Sequence, residues 1–212
     1  MLTFEPEGHV YKWDGVEKES VTQVLSRVGA EVGGSWRSLS GAEFMNSPDA
    51  MHFGHVFHDF ARRDLLGHRF KYDPALQPWV NGYRQFLAEH TPEPVLFEGR
   101  TMTEVPQYCR RYGYAYTPDY PCFLRGGPTV LDWKTGESWC DHWWTQAAAY
   151  SIGLDELTNL HRWQTMIVRI GPDSFEARVH TPDQVRRDVN RWMAVLSVYR
   201  MVVPQILTGG AA

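Results

Sequence analysis

Asp119 and Asp132 stand thirteen residues apart, Lys134 follows two positions later, and Arg125-Gly126-Gly127-Pro128 interrupts the apolar residues between them. Two strand-like runs around a Gly-Gly-Pro break are the pattern of a β-hairpin with a slightly long loop. A loop centred between Arg125 and Gly126 sets Asp119 directly opposite Asp132, where cross-strand Cβ atoms lie about 4.5–5.5 Å apart. Strand side chains alternate, so Lys134 shares the face of Asp132 while Leu131 and Trp133 point the other way. Two facing carboxylates repel, and either a shared proton or a bound cation must offset them. Mg²⁺ takes oxygen ligands, keeps several waters, and needs only one or two protein carboxylates beside substrate phosphate. A neighbouring lysine can orient or help deprotonate a water, or steady developing negative charge. These are the parts of metal-assisted phosphodiester hydrolysis. Taken alone, the same residues also fit a solvated hairpin with an ordinary Asp132–Lys134 surface pair.

The elements that must carry these residues follow from periodicity and punctuation. Ser20-Val21-Thr22, then Gln23 to Val28 and Gly29, reads as a short capped helix. Residues Gly33 to Asp49 are rich in Gly, Ser and Asn and read as a loop. Helical periodicity marks Phe53 to Leu66, ended by Gly67 at C′, and Leu76 to His90. Val95 to Met102 is strand-like and precedes the hairpin. Trp139 to Ile152 reads as a helix closed by Gly153, and Trp163 to Ile170 and Phe175 to His180 as strands. Thr181-Pro182-Asp183-Gln184 is a capping-box start with Pro at N1, opening a helix to about Val202. The order is helix, three strands, helix, strand, in a single α/β (α+β) domain over 1–212. Its parts are a lead-in and loop over 1–50, a core over 51–203 and a tail over 204–212.

Four segments occur in one order: Phe53-Gly54-His55-Val56-Phe57-His58, Tyr114-Ala115-Tyr116-Thr117-Pro118-Asp119, Leu131-Asp132-Trp133-Lys134-Thr135-Gly136 and Gln146-Ala147-Ala148-Ala149-Tyr150. Ahead of them run Phe4, His9-Val10-Tyr11, Gly15 and Ser20-Val21-Thr22-Gln23-Val24-Leu25. The chain thereby resembles the PD-(D/E)XK nuclease superfamily, in its RecB-like and phage-exonuclease-like branch, from about Phe4 to about Tyr199. The resemblance implies a restriction-endonuclease-like core, a central mixed β-sheet flanked by helices. It implies metal ligation by His58, Asp119, Asp132 and the Trp133 carbonyl, with Lys134 as the catalytic lysine. Gln146 and Tyr150 would contact the site or the DNA from the next helix. Relatives carry a further acid on the preceding strand; Glu98 and Glu104 are both available, and Glu98 sits in the better strand run. One departure stands out: Tyr116 occupies the place of a usual glycine. The implied function is a Mg²⁺- or Mn²⁺-dependent DNA nuclease, a phage-type exonuclease. Its partners would be DNA and a single-strand annealing or recombination protein, in the host cytoplasm. The alternatives are a structure-selective endonuclease and a catalytically silent DNA-binding protein of the same fold.

Composition sets the bounds. The chain has 212 residues, 43% of them hydrophobic, enough for a core. No run approaches the roughly 20 apolar residues that cross a bilayer, and the N-terminus lacks the profile of a secretory signal. Three scattered cysteines, Cys109, Cys122 and Cys140, fit a reducing compartment and fall short of a four-cysteine iron–sulfur site. A net charge of −4 runs against the basic excess of many nucleic-acid binders. Phosphate contacts would then fall to local clusters: Arg62-Arg63, Arg110-Arg111, and Arg186-Arg187 with Arg191. His52, His55 and His58, followed by His68, also raise a histidine-bound zinc site, although structural zinc usually enlists cysteine.

Overall fold

The computed structural model describes residues 1–32 and 48–208. An antiparallel sheet of β1 (Leu2–Glu5), β2 (Val10–Trp13) and β3 (Val16–Lys18) leads into helix α1 (Val21–Val32). The start of α1 is a reciprocal capping box: Gln23 N–H donates to Ser20 Oγ, and Ser20 N–H to Gln23 Oε1. The helix runs past Gly29 rather than ending there, because Val21, Val24, Leu25 and Val28 keep burying one stripe. Of the expected loop from Gly33 to Asp49, residues 33–47 lie outside the described residues, and Pro48 and Asp49 already belong to α2 (Pro48–Leu65). Helix α2 ends in a Schellman motif: Gly67 at φ +70° donates to Asp64 O, and His68 N–H to Arg63 O.

A 3₁₀ turn (Pro74–Leu76) precedes α3 (Gln77–His90). Three two-residue strands follow, β4 (Glu93–Pro94), β5 (Leu96–Phe97) and β6 (Arg100–Thr101). The single strand expected over Val95 to Met102 is thus a small β5–β6 hairpin. Its turn holds Glu98 at φ +50° and Gly99 at φ +76°, which reverses the chain after two residues. A second hairpin, β7 (Gln107–Cys109) with β8 (Tyr114–Tyr116), leads to β9 (Tyr120–Leu124) and β10 (Gly127–Lys134). Then come α4 (Asp141–Thr158), β11 (Gln164–Gly171), β12 (Ser174–His180) and α5 (Pro182–Thr208).

The main sheet has the order β12-β11-β10-β9-β4. Every pair is antiparallel except β10 with β11, which α4 joins as the crossover helix that a parallel pair requires. Alternation divides the buried side chains. Leu131, Trp133, Met166, Val168 and Ile170 pack with Phe57, Phe60, Tyr83 and Phe86 of α2 and α3. Val130 and Ile167 pack on the other face with residues of α1, α4 and α5, including Trp144, Ala147, Trp192 and Leu196. The result is a mixed five-stranded sheet between two helical layers.

The β9–β10 hairpin turns on Arg125 (φ +49°) and Gly126 (φ +78°), a two-residue turn tighter than the longer loop expected. Its register pairs Leu124 with Gly127 and Tyr120 with Leu131, so Asp119 and Asp132 are the next opposing positions. Helix α4 is longer than its sequence punctuation suggests. Gly153 lies inside it, and Asn159 at φ +55° caps it instead. The glycine is there for contact: a Cβ at 153 would sit 2.3 Å from Tyr116 Cε1.

Candidate active site

Strand β10 delivers Asp132 and Lys134 to the end of the sheet, α2 brings His58 from one helical layer, and α4 brings Gln146 and Tyr150 from the other. This is the carboxyl end of a strand at a parallel crossover, where α/β sheets open a crevice. A cleft of about 700 Å³ lies here, with His58, Glu104, Asp119, Lys134, Gln146 and Tyr150 in its lining.

Two subsets meet at its base. In the first, His58 Nδ1 lies 3.1 Å from Glu104 Oε1 and 3.5 Å from Asp119 Oδ2, and His58 Nε2 lies 3.1 Å from the Trp133 carbonyl oxygen. One ligand atom each from His58, Glu104 and Asp119 falls within 4.8 Å of the others. Asp119 Oδ2 also accepts the Trp133 N–H at 2.8 Å, which fixes the carboxylate where the β9–β10 ladder ends. In the second subset, Lys134 Nζ stands 2.6 Å from Asp132 Oδ2 and donates to Gln146 Oε1 at 3.2 Å. Gln146 Nε2 then donates to the Tyr150 hydroxyl at 2.7 Å. Asp132 is fully buried, and its Oδ1 takes no hydrogen bond. Such an oxygen costs free energy until a donor or a cation reaches it.

The electrostatics follow from burial and from these neighbours. Burial pulls the His58 imidazole down, but Asp119 and Glu104 outweigh it and hold its pKa at about 9. Burial pushes Asp132 up to about 6 against the pull of Lys134. Asp119 is also raised, by burial first, with His58 opposing and Glu104 adding to the rise. Burial works against the Lys134 ammonium, yet Asp132 and Asp119 keep its pKa above the ordinary value. His142 is driven down to about 4 by burial and then by Lys134, so a neutral imidazole lines this wall. The site therefore holds its carboxylates with a lysine and a protonated histidine.

The structure brings together His58, Asp119, Asp132, Trp133, Lys134, Gln146 and Tyr150, all expected from the sequence. It separates Glu98, which is exposed in the β5–β6 turn and absent from the cleft lining. Glu104 is the acid that stands beside His58 instead, at 3.1 Å. It follows β6 on non-strand backbone at φ +51°, so no strand pattern could single it out. His52, His55 and His68 are exposed, and of the four histidines in the run only His58 reaches the carboxylates. His55 does line the cleft, as does Arg62, which is already paired with Asp59 at 3.0 Å. Arg110 stacks over Trp13, and Arg111, Arg186 and Arg187 border a separate groove beside α4 and α5. Sequence reading also missed that the N-terminal segment forms one wall of the cleft, through Phe4, Pro6, His9 and Tyr11.

No protein-family model matches the chain, and no curated protein matches it. Among the described residues, no helix is long and apolar enough to cross a membrane.

Proposed function

We propose that this chain is a Mg²⁺- or Mn²⁺-dependent deoxyribonuclease with a PD-(D/E)XK core, acting as a phage-type exonuclease. The observation that carries this reading is the oxygen set around His58, with Asp132 beside it. Glu104 Oε1, Asp119 Oδ2 and the Trp133 carbonyl all point at one imidazole, and Asp132 Oδ1 is buried without a donor. Carboxylate and carbonyl oxygens with one imidazole suit a hard divalent ion, whereas zinc in structural sites usually takes sulfur. His58, Glu104, Asp119 and the Trp133 carbonyl would hold the ion, with Asp132, the remaining ligand expected from the sequence, beside them. An ion held by these residues would supply Lewis acidity toward a phosphodiester and a water of lowered pKa. Lys134, placed by Asp132 and Gln146, supplies a positive charge for the negative charge that builds on phosphate during attack. Tyr150 fixes Gln146, and so restrains the lysine. The mixed five-stranded sheet between helical layers supports the reading at the level of fold class.

Digestion of end-labelled linear and of circular DNA, with Mg²⁺, with Mn²⁺ and with EDTA, tests the proposal. Degradation of the linear substrate that EDTA abolishes is the expected result. Equal nicking in EDTA would sink the metal mechanism, and cleavage of closed circles would replace the exonuclease with an endonuclease.

A further inference from the structure

One wall of the cleft is not explained by hydrolysis itself. Phe4 of β1 is half-buried there, with the exposed His9 ring edge-on to it at 5.2 Å and the buried Tyr11 ring behind it at 4.7 Å. Tyr11 is pinned by a 2.8 Å hydrogen bond between its hydroxyl and Thr117 Oγ1. Thr117 lies two residues before Asp119, so the aromatic wall is held in fixed register with a carboxylate of the proposed metal site. The attachment is continued by the Ser20–Ala115 bridge and by the Ala115 N–H donating to Glu19 O.

The cations of the cleft are already engaged. Arg62 faces Asp59 at 3.0 Å, Lys134 faces Asp132 at 2.6 Å and His58 faces Glu104 at 3.1 Å, while Asp119 adds negative charge to the lining. A cleft with compensated cations holds a phosphate backbone weakly by charge alone. What it offers instead is ring surface. Bases inside a duplex cannot use it, because their faces are occupied by stacking and only their edges reach the grooves. Unpaired bases can, and aromatic platforms are the usual partner of single strands.

We propose that the cleft takes a single-stranded nucleic-acid end, laying an unstacked base against the Phe4–His9 wall while the adjoining phosphodiester reaches Lys134. This rests on the nuclease reading above and names its substrate class. The N-terminal sheet is then a substrate-binding element of the site.

Fluorescence anisotropy, with Ca²⁺ in place of Mg²⁺, can compare three labelled DNA probes on the full chain: a short single strand, the same strand with abasic residues at its end, and a blunt duplex. The wild-type protein should bind the intact strand on the order of tenfold more tightly than the abasic one, and the duplex more weakly than the intact strand. Phe4→Ala should lose the preference for bases while keeping its affinity for the abasic strand, and Phe4→Tyr should retain it. Equal wild-type affinity for intact and abasic strands would overturn the proposal, whatever the variants do. So would tight duplex binding, or a Phe4→Ala protein weakened equally toward both strands, which would mark a purely structural ring. Binding of none of the three probes would instead remove the nuclease reading itself.

Discussion

His58 occupies the position that a cation would contest. Its two ring nitrogens face Glu104, Asp119 and the Trp133 carbonyl, the oxygens assigned above to the ion. A ring between acceptors on both sides keeps two protons, in accord with a pKa of about 9. Because this pKa is raised above the ordinary 6.5, the associated stability is complete below about pH 6.5 and is lost as pH climbs through 9. The difference corresponds to at most about 3 kcal/mol. Urea unfolding in EDTA should show the metal-free protein weakening over that range, and His58→Asn should flatten the trend. Mn²⁺ binding should run the opposite way, tightening with pH and releasing protons, since a ligating imidazole must shed one. Calorimetry in buffers of different ionisation heat reads that release. At the same scale, Glu104→Gln should weaken Mn²⁺ binding and Glu98→Gln should leave it alone. Lys134→Ala should bind Mn²⁺ at least as well as the parent while turnover falls by about two orders of magnitude or more, the range of a lost charge-stabilising donor. A Lys134→Ala protein of near-normal rate would take the lysine out of the proposed mechanism.

Elements place these residues by fitting against one another, and β8 against α4 is the clearest case. Tyr116 stands where the resemblance leads one to expect glycine, and Gly153 stands where its ring needs room. The ring is almost wholly buried and lies 6.0 Å from the Tyr150 ring at 28°. Volume that a glycine in the strand would have left empty is thus accommodated by a glycine in the helix. In a helix interior, Gly→Ala alone would favour stability by up to about 1 kcal/mol. Here the added Cβ would meet Tyr116 Cε1 at 2.3 Å. Gly153→Ala should therefore destabilise by about 1–3 kcal/mol, the usual cost of overpacking. Adding Tyr116→Leu should restore part of that loss, and thermal unfolding of the two single variants and the double variant measures the coupling. Strict additivity would mean that the ring moves aside freely. A similar fit holds α3 to the β11–β12 turn, where a Cβ on Gly82 would lie 2.1 Å from Ser174 O.

For the molecule as a whole, the site is where three layers meet, so ligand binding should tighten the entire fold. His58 comes from one helical layer, Asp132 and Lys134 from the sheet, and Gln146 and Tyr150 from the other layer; none of these elements can open without dismantling the cluster. A cation bound only by the native state adds about 2.7 kcal/mol at a hundred times its Kd. For a chain of this size that raises Tm by about 5–10 °C. Differential scanning fluorimetry with Mn²⁺ should show such a rise in the parent and in Lys134→Ala, and none in Asp119→Ala. An unchanged Tm in the parent at saturating Mn²⁺ would count against the metal site.

The sequence determined whatever depends on short spacing. Register in a hairpin is set by the turn, so thirteen positions around Arg125-Gly126 sufficed to oppose Asp119 and Asp132, and alternation sufficed to put Lys134 with Asp132. The i, i+4 rule likewise joined Gln146 to Tyr150 on α4. Capping boxes at Ser20 and Thr181 marked two helix starts, because their bonds close within four residues. Tertiary structure decided what depends on partners distant in the chain. Glu104 rather than Glu98 reaches His58 because the β5–β6 turn spends Glu98 on reversing the chain. Gly153 is a space for Tyr116 and not a helix stop, since packing against a ring thirty-seven positions away outweighs local propensity. The first residues of the chain line the cleft through a bond between Tyr11 and Thr117, across 106 positions, a separation that no local pattern encodes.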